Sequence, residues 1–190
     1  EEQQGDVSLY MDSSSGMIDT GYAHDRGYTG QGMVVAVVDS GLDVSHEAFA
    51  KAPESPRYDK DTIAAIAAGT KLSCGETNAD GVYYSQKIPF VFDYVDKDTI
   101  VTGGESHGTH VSGTIAADCD KLQGIAPDAQ LMMMKVFSDD GASSSDAYIL
   151  AALDDAVKLD VDSINMSLGA TSGFSVYWDE TYSDIYSAVE

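Results

Sequence analysis

Five consecutive apolar positions, Val34, Val35, Ala36, Val37 and Val38, are closed by Asp39, Ser40 and Gly41. A run that is apolar at every position, not at alternate ones, suits a strand covered on both faces, as in a parallel sheet. The same pattern recurs at Ile88–Val95, where Pro89 limits the strand to an edge or an end. It recurs at Gln130–Phe137, whose three consecutive methionines read as core packing. Val161–Gly169 supplies a further strand, with apolar positions that predict a central place in the sheet. Between these runs the period turns helical. Asp61–Ala68 predicts a short helix stopped by Gly69. Ile149, Leu150, Leu153, Ala156 and Val157 share one face of a longer helix, with Asp154, Asp155 and Lys158 outside and Ser143 with Asp146 as its capping box. Trp178, Tyr182, Ile185 and Val189 share a face of a closing helix. The order of strand, insertion, strand, helix, strand, helix, strand, helix predicts an α/β fold, a mainly parallel sheet flanked by helices.

Two segments stand apart from this pattern. Residues 1–32 are polar and Gly-rich, without the basic-then-apolar pattern of a signal peptide, so a mature or trimmed form is expected. Residues 45–86 read as a surface insertion. The 190 residues suffice for one domain with a real core, and 43% hydrophobic content marks a globular chain. Ten basic against 32 acidic residues give a net charge of −22. Nucleic-acid binding needs the opposite sign, and an anionic membrane surface repels such a chain. No apolar run approaches the roughly 20 residues that a membrane-inserted helix needs. Cys74 and Cys119 are too few for a disulfide scaffold, leaving one bridge or two free thiols as equal alternatives.

The candidate chemistry begins at Asp39. A charged residue at the carboxyl end of a buried strand stands where open α/β sheets place ligands and reactions. Gly41 permits a sharp turn there, and Ser40 is placed to donate a hydrogen bond to the carboxylate. Alone, Asp39 reads equally well as a cap on the next turn. Further along, Glu105–Ala117 (ESHGTHVSGTIAA) opens a small-residue helix with His107 at its start. A buried carboxylate and a histidine are two thirds of a nucleophilic triad: the imidazole takes the nucleophile's proton, and the acid fixes its tautomer. His107 and His110 could face one metal, but a zinc site needs a third protein ligand, so His110 is read as a packed neighbour of the base. Glu76, Asn78 and Asp80 imitate a calcium loop that fails at its twelfth position, Lys87, and are read as a turn. His24 has no partner at a suggestive spacing and is read as a surface residue. Ser167 lacks the Gly-x-Ser-x-Gly frame of a nucleophile elbow, since Asn165 stands first.

VVDSGLD at Val37–Asp43 and SHGTHVSGT at Ser106–Thr114 closely resemble the two leading motifs of the subtilisin-like serine proteases, the subtilases. Gly27–Gly30, His46–Phe49, the Gly124–Lys135 segment and Asn165–Gly169 resemble that family's accompanying motifs. The resemblance implies that Asp39 is the orienting acid and His107 the general base. It also implies that Ser167, Leu168 and Gly169 form an exposed backbone edge binding the substrate residues before the cleaved bond, by strand addition. Calcium, common in the family, is in question because Ala48 occupies one usual ligand position. The insertion and the long loop before His107 are similar to the lactocepin-like cell-envelope proteinases of Gram-positive bacteria, which implies a secreted or cell-envelope location and a protein or peptide substrate. The family's oxyanion Asn strand and its Gly-Thr-Ser-Met-Ala helix start are not found in the 190 residues. Residues 1–190 are therefore expected to be the N-terminal part of a catalytic domain. The remaining half would be a second chain or segment, and this chain alone would be inactive. The alternative is a truncated fragment that acts only as a folding or binding module. A nucleotide-binding domain is excluded because no phosphate-binding glycine loop follows the first strand.

Overall fold

A computed structural model describes residues 14–75, 81–103, 106–141 and 143–169, together with residue 187. Its centre is a parallel sheet made by β1 (Val34–Asp39), β2 (Phe90–Asp93), β5 (Gln130–Lys135) and β6 (Ser163–Asn165), in the order β2-β5-β1-β6. A small hairpin, β3 (Asp118–Cys119) with β4 (Leu122–Gln123), stands apart from it. The helices of the described residues include α1 (Thr20–His24), α2 (Lys60–Gly69), α3 (His107–Ala116) and α4 (Asp146–Lys158). This is the expected α/β architecture.

The all-apolar strands follow from coverage on both faces. Val34, Ala36 and Val38 of β1 join Met132 and Met134 of β5 in a core closed by Ile63 of α2 and Ala152, Leu153 and Ala156 of α4. Val37, Leu131 and Met133 point the other way, onto Ala116 of α3, Leu42, Phe49 and Ile88. The methionine triplet is thus divided between the two faces, as the two-residue period of a strand requires. Pro89 sits where expected, just before the edge strand β2.

Several expectations need correction. Among the described residues β6 pairs only with β1 and lies at the sheet edge, not in a central place. Residues 45–86 are more than surface: Phe49, Tyr58, Ile63, Leu72, Cys74 and Val82 are buried in the two cores. The segment is tied down by Gln130, whose side-chain oxygen accepts from the Arg57 and Tyr58 amides while its nitrogen donates to the Tyr58 and Gln86 carbonyls. The capping box on α4 does not form. The helix starts after Ser145, and Ser143 closes a turn with Ser138 instead. Gly69 is the last residue of α2, and the helix is capped by Thr70, whose hydroxyl donates to the Ile66 carbonyl. Cys74 and Cys119 are both free. Trp178, Tyr182, Ile185 and Val189, and Glu76, Asn78 and Asp80, lie outside the described residues.

Asp155, expected on the outer face of α4, is buried. It accepts from the Ser73 amide and the Tyr94 hydroxyl, so one carboxylate joins the helix to two loops. Burial pushes its carboxyl above the ordinary value of 3.8, against the opposing effect of those donors. The folded chain therefore holds this proton more tightly than the unfolded chain. Stability from the group is full below pH 3.8 and is lost as pH rises through the higher folded value. The expected outcome is that D155N gains stability relative to the native chain as pH is raised from about 3.5 to about 6.5. Urea unfolding of both proteins across that range checks this, and a difference that does not change with pH would sink it.

Candidate active site

Strand β1 delivers Asp39 to the carboxyl edge of the sheet, and the chain turns at once. Gly41 has φ +132°, a conformation that a side chain would strain, and a Cβ there would meet the Val101 carbonyl at 2.4 Å. The Leu42 amide donates to that same carbonyl, tying the turn to residues 101–103. Helix α3 then docks against the turn. A Cβ on Gly108 would lie 2.1 Å from the Gly41 carbonyl oxygen, so backbone meets backbone at this crossing. Gly108, Ser112, Gly113 and Ala116 form the buried face of α3, which explains its small-residue composition.

This close approach places His107, the first residue of α3, over Asp39. Nδ1 of His107 lies 2.8 Å from Oδ1 of Asp39. The Asp39 side chain is 2% exposed and the His107 side chain 55% exposed. The same Oδ1 accepts from the Ser40 amide at 2.7 Å. The Ser40 hydroxyl does not donate to the carboxylate as expected; its oxygen accepts from the Gly108 amide. It thereby ties the turn to the helix. Oδ2 of Asp39 is buried and meets no donor among the described residues. With Nδ1–H donating to a carboxylate, the imidazole is held in the tautomer that leaves Nε2 as a lone-pair acceptor on the exposed side. No hydroxyl among the described residues is hydrogen-bonded to Nε2.

The other sequence-predicted residues are placed as follows. Ser167 and Gly169 are exposed just beyond β6, and Leu168 packs against the core. The Ser167 hydroxyl accepts from the Asn165 side chain at 2.9 Å. His110 is not packed. It is exposed and lines a shallow cavity with His46, Phe49 and Leu122. His24 is half-buried and donates to the Ile125 carbonyl. Ala48 is buried, and its side chain carries no oxygen.

Sequence reading took Lys135 only as a matching motif position and missed its pairing. Its side chain is fully buried and its ammonium pairs with Asp93 at 2.5 Å and Asp139 at 3.1 Å. Burial works against this ammonium, but its two carboxylate partners outweigh that and raise its pKa above the ordinary lysine value. Asp93, Asp96 and Asp139 are close enough to hold a cation. Two of the three already hold the lysine ammonium, which fills that role.

An imidazole–carboxylate pair thus stands at the carboxyl edge of a parallel α/β sheet. The chain belongs to the subtilase family, whose family model matches residues 30–190. It is 34% identical over 174 residues to the PII-type proteinase of Lactococcus lactis subsp. cremoris, covering 86% of this chain and 9% of that protein. It is 33% identical over 162 residues to the C5a peptidase of Streptococcus pyogenes, covering 80% and 13%. It is 31% identical over 172 residues to the minor extracellular protease Vpr of Bacillus subtilis, covering 86% and 17%. The chain thus spans less than a fifth of the length of each of these relatives. Among the described residues no helix is long and apolar enough to cross a membrane.

The Gly41–Gly108 crossing generates a sharp test. Gly→Ala within a helix ordinarily gains up to about 1 kcal/mol. Here the added methyl meets backbone at 2.1 Å. G108A is expected to lose about 2–3 kcal/mol net in urea unfolding, an overpacking cost. A neutral or stabilising result would mean that the helix does not dock this closely.

Proposed function

We propose that this chain supplies the acid–base pair of a serine endopeptidase acting on protein or peptide substrates outside the cell. The observation that supports this reading best is the 2.8 Å contact between His107 Nδ1 and the buried Asp39 carboxylate in a chain of the subtilase family. Asp39 orients the imidazole and stabilises its charged form. Nε2 of His107 takes the hydroxyl proton of a serine as that oxygen attacks the scissile carbonyl. The same proton then passes to the departing amine, leaving an acyl ester that water hydrolyses by the reverse transfers. The nucleophilic serine and the oxyanion donor belong to a segment other than these residues, since no Gly-Thr-Ser-Met-Ala occurs in the sequence. Ser167, Leu168 and Gly169 offer the acyl side of the substrate a backbone edge beside β6. The lactococcal, streptococcal and bacillar relatives, all named as proteinases or peptidases, support the reaction class.

A serine-reactive phosphonate probe, followed by intact-mass analysis of every polypeptide present, tests this directly. Label is expected on a polypeptide or segment outside residues 1–190 that works with this chain. Label on Ser167 would overturn the assignment of the nucleophile. No label on any polypeptide would favour a binding module over an enzyme. Where activity is reconstituted, D39N is expected to lower kcat by roughly 10⁴-fold, the order that follows from losing the correct imidazole tautomer. Activity should also fall on acidification, because a protonated imidazole accepts no proton. A rate that stays flat from neutral to acid pH would remove His107 from the base role.

A further inference from the structure

The last residues of three adjacent strands lie side by side. Asp39 ends β1, Lys135 ends β5 and Asp93 ends β2, and the registers pair Asp39 with Lys135 and Lys135 with Asp93. In-register residues of a parallel sheet point to the same face. Val37, Met133 and Val91, two residues earlier in each strand, all pack on the α3 side. The terminal row is therefore a negative, positive, negative sequence of side chains on the face that carries His107. Strand spacing puts each about 4.8 Å from the next. Lys135 is the lateral neighbour of the Asp39 carboxylate, and its charge is drawn away from Asp39 toward Asp93 and Asp139.

Its stem occupies a key position. A Cβ on Gly41 would lie 3.4 Å from Cδ of Lys135, and a Cβ on Gly103 would lie 3.3 Å from its Cε. The methylene chain thus underlies both the turn after Asp39 and the segment leading to His107. Asp139 sits on the loop after β5, and its Oδ1 would be 3.1 Å from the same Gly103 Cβ. One ammonium therefore fastens three pieces of chain around the crossing that sets the imidazole over Asp39. A fully buried cation is costly unless it is paired. The proton-transfer chemistry does not use this one.

We propose that Lys135 is a positioning residue for the Asp39–His107 pair, acting through its stem beneath Gly41 and Gly103 and its hold on Asp93 and Asp139. The inference rests on the reading of Asp39 and His107 as the acid–base pair. A side chain of Lys135's length without the charge has no reason to stay stretched under the turn, and the loop bearing Asp139 loses its anchor.

The test reads the pair itself. The Nδ1 proton of His107, shared with a carboxylate, is expected as a far-downfield proton resonance of the native 190-residue chain, assigned by its loss in H107A. In K135M that resonance is expected to be lost while far-UV circular dichroism still reports the fold, and K135R is expected to retain it. D139N removes the largely exposed partner and leaves Asp93 paired with the ammonium. It is expected to broaden the resonance. Where the serine is also supplied, K135M is expected to lower kcat by roughly 10²-fold with KM changed by less than about two-fold. An unchanged resonance in folded K135M would overturn the proposal, and so would an unchanged resonance in D139N if K135M does not fold. A native chain without the resonance would overturn the acid–base pair and this proposal together. A Lys135-dependent resonance with no phosphonate label anywhere would sink only the peptidase reading.

Discussion

Asp39 is a carboxylate taken almost wholly out of water at the end of a valine strand, and the rest of the site is organised by what that requires. An ionised carboxylate in such a place is unfavourable by several kcal/mol unless donors and charges answer it. Two donors converge on Oδ1, the Ser40 amide and the His107 imidazole. The first needs a turn immediately after the strand, which Gly41 allows through its positive φ. The second needs a helix start carried within reach of the strand end, which Gly108 allows by having no side chain. The Ser40 hydroxyl, accepting from the Gly108 amide, closes the loop between the two requirements. Burial of one charge thus specifies a turn, a helix position and the tautomer of the exposed imidazole.

How much of this was legible in the sequence depends on how local each signal is. The strand Val34–Asp39 was legible because five apolar residues in a row have few other uses, and the switch to Asp-Ser-Gly marked its end. Asp39 and His107 were legible as candidates because their motifs are dense in residues that do specific backbone work. Partners distant in sequence were not legible. Nothing in the helical period of α4 announced that Asp155 faces inward, because its donors, Ser73 and Tyr94, lie 82 and 61 residues away. The same holds for Lys135 and Asp93, 42 residues apart and joined only by the strand register. Ser143 and Asp146 had the spacing of a capping box, but a turn with Ser138 took Ser143 instead. That is the ordinary competition between local side-chain hydrogen bonds and helix caps. Residues 45–86 read as surface because their buried positions follow neither a two-residue nor a helical period. A loop anchored by Gln130 can bury Tyr58 and Val82 without any period.

The use of positive charge follows from its scarcity. With 10 basic residues against 32 acidic ones, the surface is dominated by mutual repulsion among carboxylates. Cations would be expected outside, where they relieve it most. Several are: Lys51 pairs with Asp118, Lys121 with Glu47 and Lys158 with Asp154. Exposed pairs of this kind contribute little each. Two lysines are nevertheless spent in the interior, and both serve β5. Lys87 donates to the Pro127 and Ala129 carbonyls just before the strand begins, and burial pushes its ammonium down to about 8. Lys135 closes the other end on Asp93 and Asp139. Strand β5 lies between β1 and β2, so fixing both its ends fixes the height at which Asp39 leaves the sheet. A buried ion pair is weak evidence for stability, since apolar residues of similar volume often do as well. What an apolar residue would not do is fasten a loop carboxylate and a strand-end carboxylate to one point. The two interior lysines are therefore better understood as setting geometry than as adding stability, and that geometry is what brings a histidine over Asp39.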